Sequence, residues 1–301
     1  MSEPSDKRRR TDFVLRLLSF RGNIMKKLLI ILIAVLMVSA GLLWGNSSIV
    51  TTEYTVSPEN LPESFEGFRI VHISDLHNTD FGGKLIEKTA AAKPDIIVVT
   101  GDIVDSYSPD IPVAVEFAKE VCKIAPVYYV TGNHERRIAE YGSVKAQLEA
   151  AGVEILEGET VEITRNGEKI SLTGIDDINF FMGINPQEQY SAFSQKLNAL
   201  VAESGDEMNI LLSHKPEFLD LYSDCGFDIV FCGHAHGGQI RLPFIGGVFT
   251  PDQGFFPEYT EGVHTSGKTN MVISRGLGNS IFPLRVFNRP EIIVCNLGEA
   301  K

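Results

Sequence analysis

Two histidines separated by one residue lie in the most informative stretch of the sequence. His234 and His236 belong to the segment 232–239, in which glycines flank the two side chains. An apolar run at 227–231 precedes them and predicts a short buried strand. Glycine lets the backbone approach other groups closely, so both imidazoles can point at one small volume. This pattern indicates a metal-binding or catalytic turn; from this stretch alone, a tight turn with two solvated histidines is the alternative.

Four other apolar runs end in side chains of matching chemistry. Each run predicts a buried strand, with polar residues at its carboxyl end. Over the five runs these residues are Asp75 and His77, Asp102, Asn133 and His134, His214, and His234 and His236. Ligands of open α/β sheets bind at the carboxyl ends of the strands, so we expect these side chains to converge on one site.

The side chains in this set are suited to metal ions. Aspartate, asparagine and histidine offer oxygen and nitrogen ligands that bind Mn²⁺, Zn²⁺ or Fe without thiolates, and the sequence does not select among these metals. Seven candidate ligands are too many for one tetrahedral ion. They suit two divalent ions about 3.5–4 Å apart that share a carboxylate, an arrangement that clamps both ends of a displacement at phosphorus.

The elements that must position these residues alternate along the chain. Predicted strands lie at 53–56, 68–73, 95–100, 127–130, 161–164, 169–173, 209–213, 227–231, 269–274 and 291–297. Predicted helices lie at 84–92, 111–124, 143–151, 187–203 and 216–223. Alternating strands and helices predict a layered α/β fold.

Composition and charge restrict the class of partner. Hydrophobic residues make up 44% of the chain and charged residues 22%, as in an ordinary globular protein. Residues 1–27 carry eight Lys/Arg and three Asp/Glu, whereas the whole chain has a formal charge of −12, so the remainder is strongly acidic. A nucleic-acid-binding surface needs a basic stripe, and we therefore expect no nucleic-acid partner. Cys232 and Cys295 lie in apolar runs and are predicted to be small buried hydrophobes.

The N-terminal part predicts a membrane segment. We expect a basic cytoplasmic segment at 1–27, a transmembrane anchor or signal sequence at 28–45 and one folded domain at 46–301. The run from Leu28 to Trp44 would be a helix of about 26 Å, just long enough to span a bilayer. Basic residues before it place the N-terminus in the cytoplasm, so the folded domain lies outside the cytoplasmic membrane of a single-pass protein.

A cleaved signal peptide is the competing interpretation of the same segment. Residues 38–40, Val-Ser-Ala, offer a small-x-small cleavage site. The apolar run continues past this site to Trp44, which favours an uncleaved anchor. Met25, which is followed by Lys26, Lys27 and then the apolar run, is a second plausible translation start.

Taken together, the ordered blocks resemble the calcineurin-like metallophosphoesterase superfamily, over about residues 68–297. The blocks are Asp75-x-His77, Gly101-Asp102, Gly132-Asn133-His134-Glu135, His214 and Gly233-His234-Ala235-His236. The later segments 274–278 and 285–290 are similar to the membrane-associated bacterial branch, which includes phosphodiesterases and hydrolases of lipid-linked nucleotide sugars. The resemblance implies a four-layer α/β/β/α sandwich, here preceded by one N-terminal transmembrane helix.

The resemblance also implies a role for each residue of the set. One ion would be bound by Asp75, His77, Asp102 and His236, and the second by Asp102, Asn133, His214 and His234. Asp102 would bridge the two ions, and a metal-bridging hydroxide would attack phosphorus. His134 would stabilise the transition state or protonate the leaving oxygen.

For several further residues a functional and a structural role both stay open. Asp105 and Glu135 either orient ligand histidines or are solvated turn residues. His72 alternates away from the ligand face and is predicted to be a core histidine. Three arginines either anchor a phosphate or carboxylate or, by default, form surface pairs: Arg275, Arg285 and Arg289.

An apolar segment follows the turn that carries His234 and His236. Residues 242–249, with Phe255 and Phe256 beyond them, either accept an acyl chain or touch the bilayer, or they pack onto a sheet edge. The sequence favours neither interpretation.

The predicted function is a dimetal phosphoester hydrolase that acts on a phosphodiester or pyrophosphate of a lipid-linked or envelope-precursor substrate. A phosphomonoesterase or phosphoprotein phosphatase is an alternative within the same enzyme class. The non-enzyme alternative is a binding protein that keeps its metal site for structure or ligand capture. A complete ligand set together with His134 speaks against that alternative, because a pure binder needs no general acid.

Overall fold

One long helix forms the N-terminal part of the chain. The computed structural model describes residues 4–183, 185–205, 207–279 and 282–299, and α1 runs over Pro4–Ser47. Within α1, the segment Asn23–Ser47 is long and apolar enough to cross a membrane, and its side chains are largely exposed. The basic residues before this segment, for which the sequence predicted no element, continue the same helix. Residues 1–44 and 45–301 are separate compact units.

Within the residues that the structure describes, two six-stranded sheets and five α-helices make up most of the second unit. The helices are α2 Lys84–Ala91, α3 Ile111–Val121, α4 Tyr141–Ala151, α5 Pro186–Ser204 and α6 Leu219–Cys225. The first sheet contains β1 Val50–Val56, β2 Arg69–Ile73, β3 Ile96–Thr100, β4 Val127–Val130, β5 Val153–Ile155 and β16 Glu291–Leu297. The second sheet contains β6 Glu159–Arg165, β7 Glu168–Gly174, β8 Asn209–Leu212, β9 Ile229–Cys232, β14 Gly262–Ser266 and β15 Thr269–Ile273. Two short hairpins are formed by β10 Arg241–Leu242 with β11 Gly246–Gly247, and by β12 Phe249–Thr250 with β13 Gly254–Phe255.

Four adjacent strands in each sheet run parallel to one another. The strand order is β1-β16-β2-β3-β4-β5 in the first sheet and β14-β15-β9-β8-β7-β6 in the second. Strands β2 to β5 are mutually parallel, and so are β7, β8, β9 and β15. Parallel neighbours bring their carboxyl ends to the same edge, so the loops after β2, β3 and β4 are neighbours, as are those after β8 and β9.

Three hydrophobic clusters show how the layers stack. The first packs α2, α3 and α4 onto one face of the first sheet, through residues such as Leu85, Phe117 and Val99. The second lies between the two sheets and joins, for example, Val98 to Leu212. The third packs α5 and α6 onto the outer face of the second sheet. The order helix, sheet, sheet, helix confirms the predicted α/β/β/α sandwich.

Local sequence signals explain several element boundaries. Asn166 and Gly167 both have positive φ, 50° and 89°, and form the two-residue turn of the β6–β7 hairpin. The helix predicted at 111–124 ends at Val121, and the strand predicted at 227–231 is Ile229–Cys232. The sequence did not predict β5 or β14, because one has only three residues and the other alternates weakly between half-buried and exposed side chains.

Candidate metal centre

All eight predicted site residues lie together where the two sheets present the carboxyl ends of their strands. The loops after β2, β3 and β4 supply five of them, and the loops after β8 and β9 supply three. Every one of these side chains is buried: Asp75, His77, Asp102, Asn133, His134, His214, His234 and His236. The site is therefore shared by two sheets rather than built on the edge of one.

The first group of donors surrounds one small volume. The Nε2 atoms of His77 and His236 are 3.1 Å apart, and that of His236 is 3.4 Å from Oδ1 of Asp75. Oδ2 of Asp102 lies 3.6 Å from Nε2 of His77. One donor atom from each of these four residues falls within 4.8 Å of all the others, a spacing that could hold a metal ion.

The second group shares Asp102 with the first. Nε2 of His214 lies 3.3 Å from Oδ2 of Asp102 and 3.2 Å from Oδ1 of Asn133. Nδ1 of His234 is 3.2 Å from the same Nε2 atom. Asp102, His214 and His234 again meet the 4.8 Å spacing, so two adjacent volumes have one carboxylate in common.

Hydrogen bonds at the outer ring nitrogens orient three of the histidines. Nδ1 of His214 donates to the Thr100 carbonyl at 2.7 Å, and Nε2 of His234 donates to Asp252 at 3.1 Å. Nδ1 of His77 makes a longer contact of 3.4 Å to Asp105. When these rings are neutral, the other nitrogen of each carries the lone pair and faces the cluster, as in metal-ligating histidines.

His236 is held differently from the other three. Its carbonyl accepts from the Asn288 amide at 2.7 Å, which secures the turn. Nη2 of the buried Arg285 lies 3.3 Å from its Nδ1. A guanidinium has only donors, so a hydrogen bond from Arg285 to Nδ1 places the proton of the neutral ring on Nε2, and this contact does not prepare Nε2 as a ligand atom.

The backbone of the site is held in an unusual conformation. Five of the seven candidate ligands have positive φ between 44° and 64°: Asp75, His77, Asp102, His234 and His236. Each such non-glycine residue costs about 1 kcal/mol or more, and residues of this kind cluster at functional sites. Gly233 is required for the approach of the loops, because a Cβ there would lie 1.8 Å from Oγ of Ser74.

The electrostatics of the cluster favour bound cations. Burial lowers the pKa of His214, but the Asp102 carboxylate outweighs burial and raises it to about 10. Carboxylates that raise the pKa of a buried imidazole this far would equally stabilise a cation among the same donors. The donor set consists of lone pairs from nitrogen and oxygen with no thiolate, which fits Mn²⁺, Zn²⁺ or Fe. The residues present therefore fit two metal ions.

His134 stands beside the cluster with a defined tautomer. Its Nδ1 accepts the backbone N–H of Ser106 at 3.0 Å, so in the neutral ring the proton sits on Nε2. Nε2 lies 4.0 Å from Oδ2 of Asp102 and points towards the shared carboxylate. Burial lowers the pKa of His134, partly offset by Asp102. A neutral imidazole with a proton on Nε2 can donate to an oxygen bound at the cluster.

Glu135 is buried and ties two ligand loops together. Its carboxylate accepts the backbone N–H groups of Asp102, Ile103, Val104 and Gly132, at 2.7–3.3 Å. Glu135 is therefore not a solvated turn residue, and it does not orient a ligand histidine. It holds the loops after β3 and β4 together. Asp105, by contrast, does contact a histidine of the cluster.

Other residues singled out in the sequence have structural roles. His72 is buried among the core side chains, as predicted, and Nε2 bonds Oγ1 of Thr100 at 2.8 Å. Arg275 pairs with Glu291, and Arg289 bonds Ser48. Arg285 is buried and donates to the carbonyls of Gly278 and Arg275, so surface pairing was wrong for this residue.

Asp252 is the site residue that the sequence did not reveal. It lies in the turn between β12 and β13, where it accepts from His234 and forms an ion pair with Lys215. These pairings hold the pKa of Asp252 well below its usual range. A single acid in a turn rich in proline and glycine carries no signal of this contact, because the partners come from loops 18 and 37 residues away.

The apolar segment after the site is only partly packed. Phe244, at the tip of the β10–β11 hairpin, is fully exposed, and Phe255 and Phe256 are 73% and 66% exposed. The interpretation that this segment packs wholly onto a sheet edge is therefore wrong for these three side chains.

Comparisons with known proteins show what the chain is similar to. A family model described as calcineurin-like phosphoesterase matches residues 68–238. The metallophosphoesterase YkuE of Bacillus subtilis is 34% identical over 266 residues, which cover 83% of this chain and 85% of that protein. Phosphodiesterase YaeI of Escherichia coli is 25% identical over 238 residues, covering 76% and 82%. A transmembrane protein with metallophosphoesterase domain from Danio rerio is 26% identical over 281 residues, covering 90% and 62%.

Proposed function

The chain belongs to the calcineurin-like phosphoesterase family and is a metal-dependent phosphoester hydrolase, and from this premise we propose that it hydrolyses a phosphodiester or pyrophosphate of a lipid-linked or envelope-precursor substrate. The proposed catalytic domain is 46–301. Enzymes of this family use a dinuclear metal centre, and the His/Asp cluster described above is the candidate for it.

The observation that carries the proposal is the pair of donor groups that share Asp102. We assign Asp75, His77, Asp102 and His236 to one ion, and Asp102, Asn133, His214 and His234 to the other. When bound, two such ions polarise the phosphoester and supply a nucleophile at neutral pH. Mn²⁺, Zn²⁺ and Fe are all compatible with the donors.

The chain's own residues orient the ligand histidines and provide a proton. The carbonyl of Thr100 and the carboxylate of Asp252 keep the rings of His214 and His234 in place. His134, with its proton on Nε2, is placed to donate to the leaving oxygen, and the Ser106 N–H at Nδ1 maintains that tautomer.

A diester or pyrophosphate is preferred over a monoester for two reasons. A relative that matches most of this chain is described as a phosphodiesterase. In addition, apolar surface lies beside the site, which suits a substrate with an apolar second group on phosphorus better than a small monoester. A phosphomonoesterase stays the alternative within the class.

The proposed location is the cell membrane. The segment Asn23–Ser47 could be a span, and the zebrafish relative is described as a transmembrane protein. The basic residues before the span favour a cytoplasmic N-terminus, which would leave the catalytic domain outside the cytoplasmic membrane.

The test is a metal add-back assay on the full chain. The protein is stripped with EDTA, reloaded with Mn²⁺, Zn²⁺ or Fe²⁺, and assayed on bis(p-nitrophenyl) phosphate and on p-nitrophenyl phosphate. We expect metal-dependent hydrolysis that favours the diester. Asp102→Ala should lose at least about 10³-fold in kcat/KM and at least one equivalent of bound metal, because both donor groups lose a member.

Asp224→Ala, which removes an exposed carboxylate on α6, is the matched control and should keep both properties. Hydrolysis that favours the monoester would replace the diesterase assignment by the alternative. A metal-loaded protein that turns over neither compound would favour the binding protein.

A further inference from the structure

A cavity lies next to the candidate metal centre. It has a volume of about 360 Å³, within the range of small-molecule sites, and includes His236 in its lining. The rest of its wall is mainly apolar and comes from residues on either side of the first hairpin, from the second hairpin and from a later loop, through Ile240, Val248, Phe249, Phe255 and Phe282.

Besides His236, the wall contains the polar side chain of Gln239, whose amide group already donates hydrogen bonds within the protein. Nε2 of Gln239 donates to the carbonyls of Phe282 and Leu284, at 2.7 and 3.3 Å. Both amide hydrogens of Gln239 are used in these bonds, so the side chain can offer a ligand its Oε1 acceptor but no donor. A hydrocarbon needs no partner, whereas a polar group that can only accept would lose hydration without gaining a hydrogen bond from Gln239. The cavity therefore favours hydrocarbon.

The cavity and the metal centre share one side chain. Nε2 of His236 lies 3.1 Å from Nε2 of His77 inside the donor cluster, while the same residue lines the cavity. Because His236 borders both volumes, a group in the cavity lies next to a ligand held by the donor cluster. This adjacency is the reason to look for the hydrocarbon on the same molecule as the phosphoester.

The cavity wall is fixed to the metal centre by a polar contact. Asp252, in the turn between β12 and β13, accepts from His234 and pairs with Lys215. This turn carries Phe249 and Phe255, whose ring centroids are 5.3 Å apart. The aromatic wall is therefore held in place relative to the donor cluster before any ligand binds, which lowers the entropic cost of binding.

The wall also leaves apolar surface in contact with water. Phe249, Phe255 and Phe282 are each more than two-fifths exposed although they line the cavity. A hydrocarbon chain laid between them would remove this surface from water and stabilise the complex.

We propose that this cavity is a subsite for an alkyl or acyl chain of the substrate, carried by the group esterified to the phosphorus at the metal centre. This inference deepens the proposed function and rests on it for the placement of the phosphoester. It adds that Val248, Phe249 and Phe255 select substrates by chain length.

Binding of alkylphosphonates tests the subsite without relying on turnover. Methyl-, butyl- and octylphosphonate carry the same head group for the metal centre and differ only in the chain. Their dissociation constants are measured by calorimetry on the Mn²⁺-loaded full chain in a sterol-based detergent, which contributes no alkyl chain. We expect octylphosphonate to bind at least tenfold more tightly than methylphosphonate, since burial of about two methylene groups already gives that factor.

Two variants localise the effect. Val248→Trp fills the cavity and should bring the ratio of the octyl and methyl constants close to one. Phe249→Ala removes part of the wall instead of filling the space, and should lower the ratio several-fold. Val263→Trp makes the same change as the first variant at an exposed residue of β14 outside the cavity, and should keep the native ratio. Thermal melting verifies that each variant is folded.

The outcomes separate the subsite from the proposed function. Equal constants for the three phosphonates, or a native ratio in both cavity variants, would overturn the subsite even if diesters are hydrolysed. A chain-length effect lost in both variants would support the subsite even if the chain proves to be a monoesterase. A concentration-dependent dimer that Phe249→Ala dissociates, together with equal constants, would assign the surface to a second copy of the chain and overturn the proposal.

Discussion

At the scale of single residues, the groups that hydrogen-bond the candidate ligands are as important for the site as the ligands themselves. Three candidate ligand histidines each present one nitrogen to the cluster because the other nitrogen has a partner: Asp105, the Thr100 carbonyl and Asp252. Such partners raise the basicity of the ligand and set its tautomer. They come from the end of β3, from the loop that follows it and from the turn between β12 and β13, so these contacts tie the three segments to the site.

Asp252→Asn tests this coupling. The amide accepts from Nε2 of His234 more weakly than a carboxylate and cannot pair with Lys215, so His234 is held less firmly. We expect the affinity for the more weakly held Mn²⁺ ion to fall about 10- to 100-fold, measured by metal titration of the stripped protein. Asp224→Asn, an exposed acid on α6, is the control and should bind as the native protein does. An unchanged Mn²⁺ affinity in Asp252→Asn would show that Asp252 does not position His234.

Glu135→Ala tests the clamp between the loops after β3 and β4. Four backbone N–H groups lose a buried acceptor in this variant. Each unpaired buried donor costs about 1–3 kcal/mol, and water that enters the space recovers part of that cost. We expect the free energy of unfolding to fall by at least about 2 kcal/mol in urea denaturation, along with reduced metal binding.

Glu154→Ala removes an exposed carboxylate from β5 and provides the comparison, with an expected change within about 0.5 kcal/mol. If both glutamate variants unfold at the same urea concentration, the four hydrogen bonds contribute no net stability and the clamp has no energetic basis.

At the scale of elements, the two hairpins between β9 and β14 form the exposed apolar part of the rim of the candidate metal centre. Their strands have two residues each and are therefore too short to be stable alone. They are held by Asp252 and by bonds such as that from the Val248 N–H to the Ile240 carbonyl, at 2.9 Å. The hairpins can consequently expose aromatic side chains without unfolding.

The double variant Phe255→Ser, Phe256→Ser tests what the exposed aromatic side chains contribute. Both residues are mostly exposed, so we expect a small change in melting temperature. Hydrolysis of a lipid-linked phosphodiester in vesicles should fall at least about tenfold more than hydrolysis of a small soluble diester, because only the first substrate loses apolar contact area. Val263→Ser, at an exposed apolar residue of β14, should affect both substrates alike. Equal losses on the two substrates in the double variant would contradict contact with lipid.

At the scale of the whole molecule, the three hydrophobic clusters draw their buried residues from 49–297. The second unit therefore contains complete cores of its own, as an independently folding domain does. We therefore expect residues 1–45 to affect where the protein acts more than how stable its fold is.

Removal of residues 1–45 tests this division. We expect the fragment 46–301 to keep the melting temperature, the metal content and the hydrolysis of a soluble diester within about twofold of the full chain. On a substrate embedded in vesicles, the full chain reconstituted in the same membrane should be faster by about 10²-fold, because the anchor raises the effective concentration of enzyme at the bilayer. Loss of the soluble activity in the fragment would show that α1 supports the fold, and equal rates on vesicles would contradict a role as anchor.

Residue types and their order along the chain were enough to predict the fold class, the family and the set of side chains at the strand ends. Buried strands appear in the sequence as apolar runs, and the polar residues that follow them have a fixed order along the chain. Both features can therefore be recognised without the structure. The roles of Asp75, His77, Asp102, Asn133, His214, His234 and His236 as metal ligands, and of His134 as acid, stay predictions that the geometry supports.

The tertiary structure alone decided which contacts stand behind those side chains. Glu135 proved to be an acceptor for four backbone donors, Asp252 a partner of His234, and Arg285 a buried donor to carbonyls. The aromatic cavity beside His236 likewise forms from hairpins too short to leave a periodic pattern. Hydrogen bonds and cavity walls depend on the directions of groups far apart in the chain, and residue types along the sequence do not encode those directions locally.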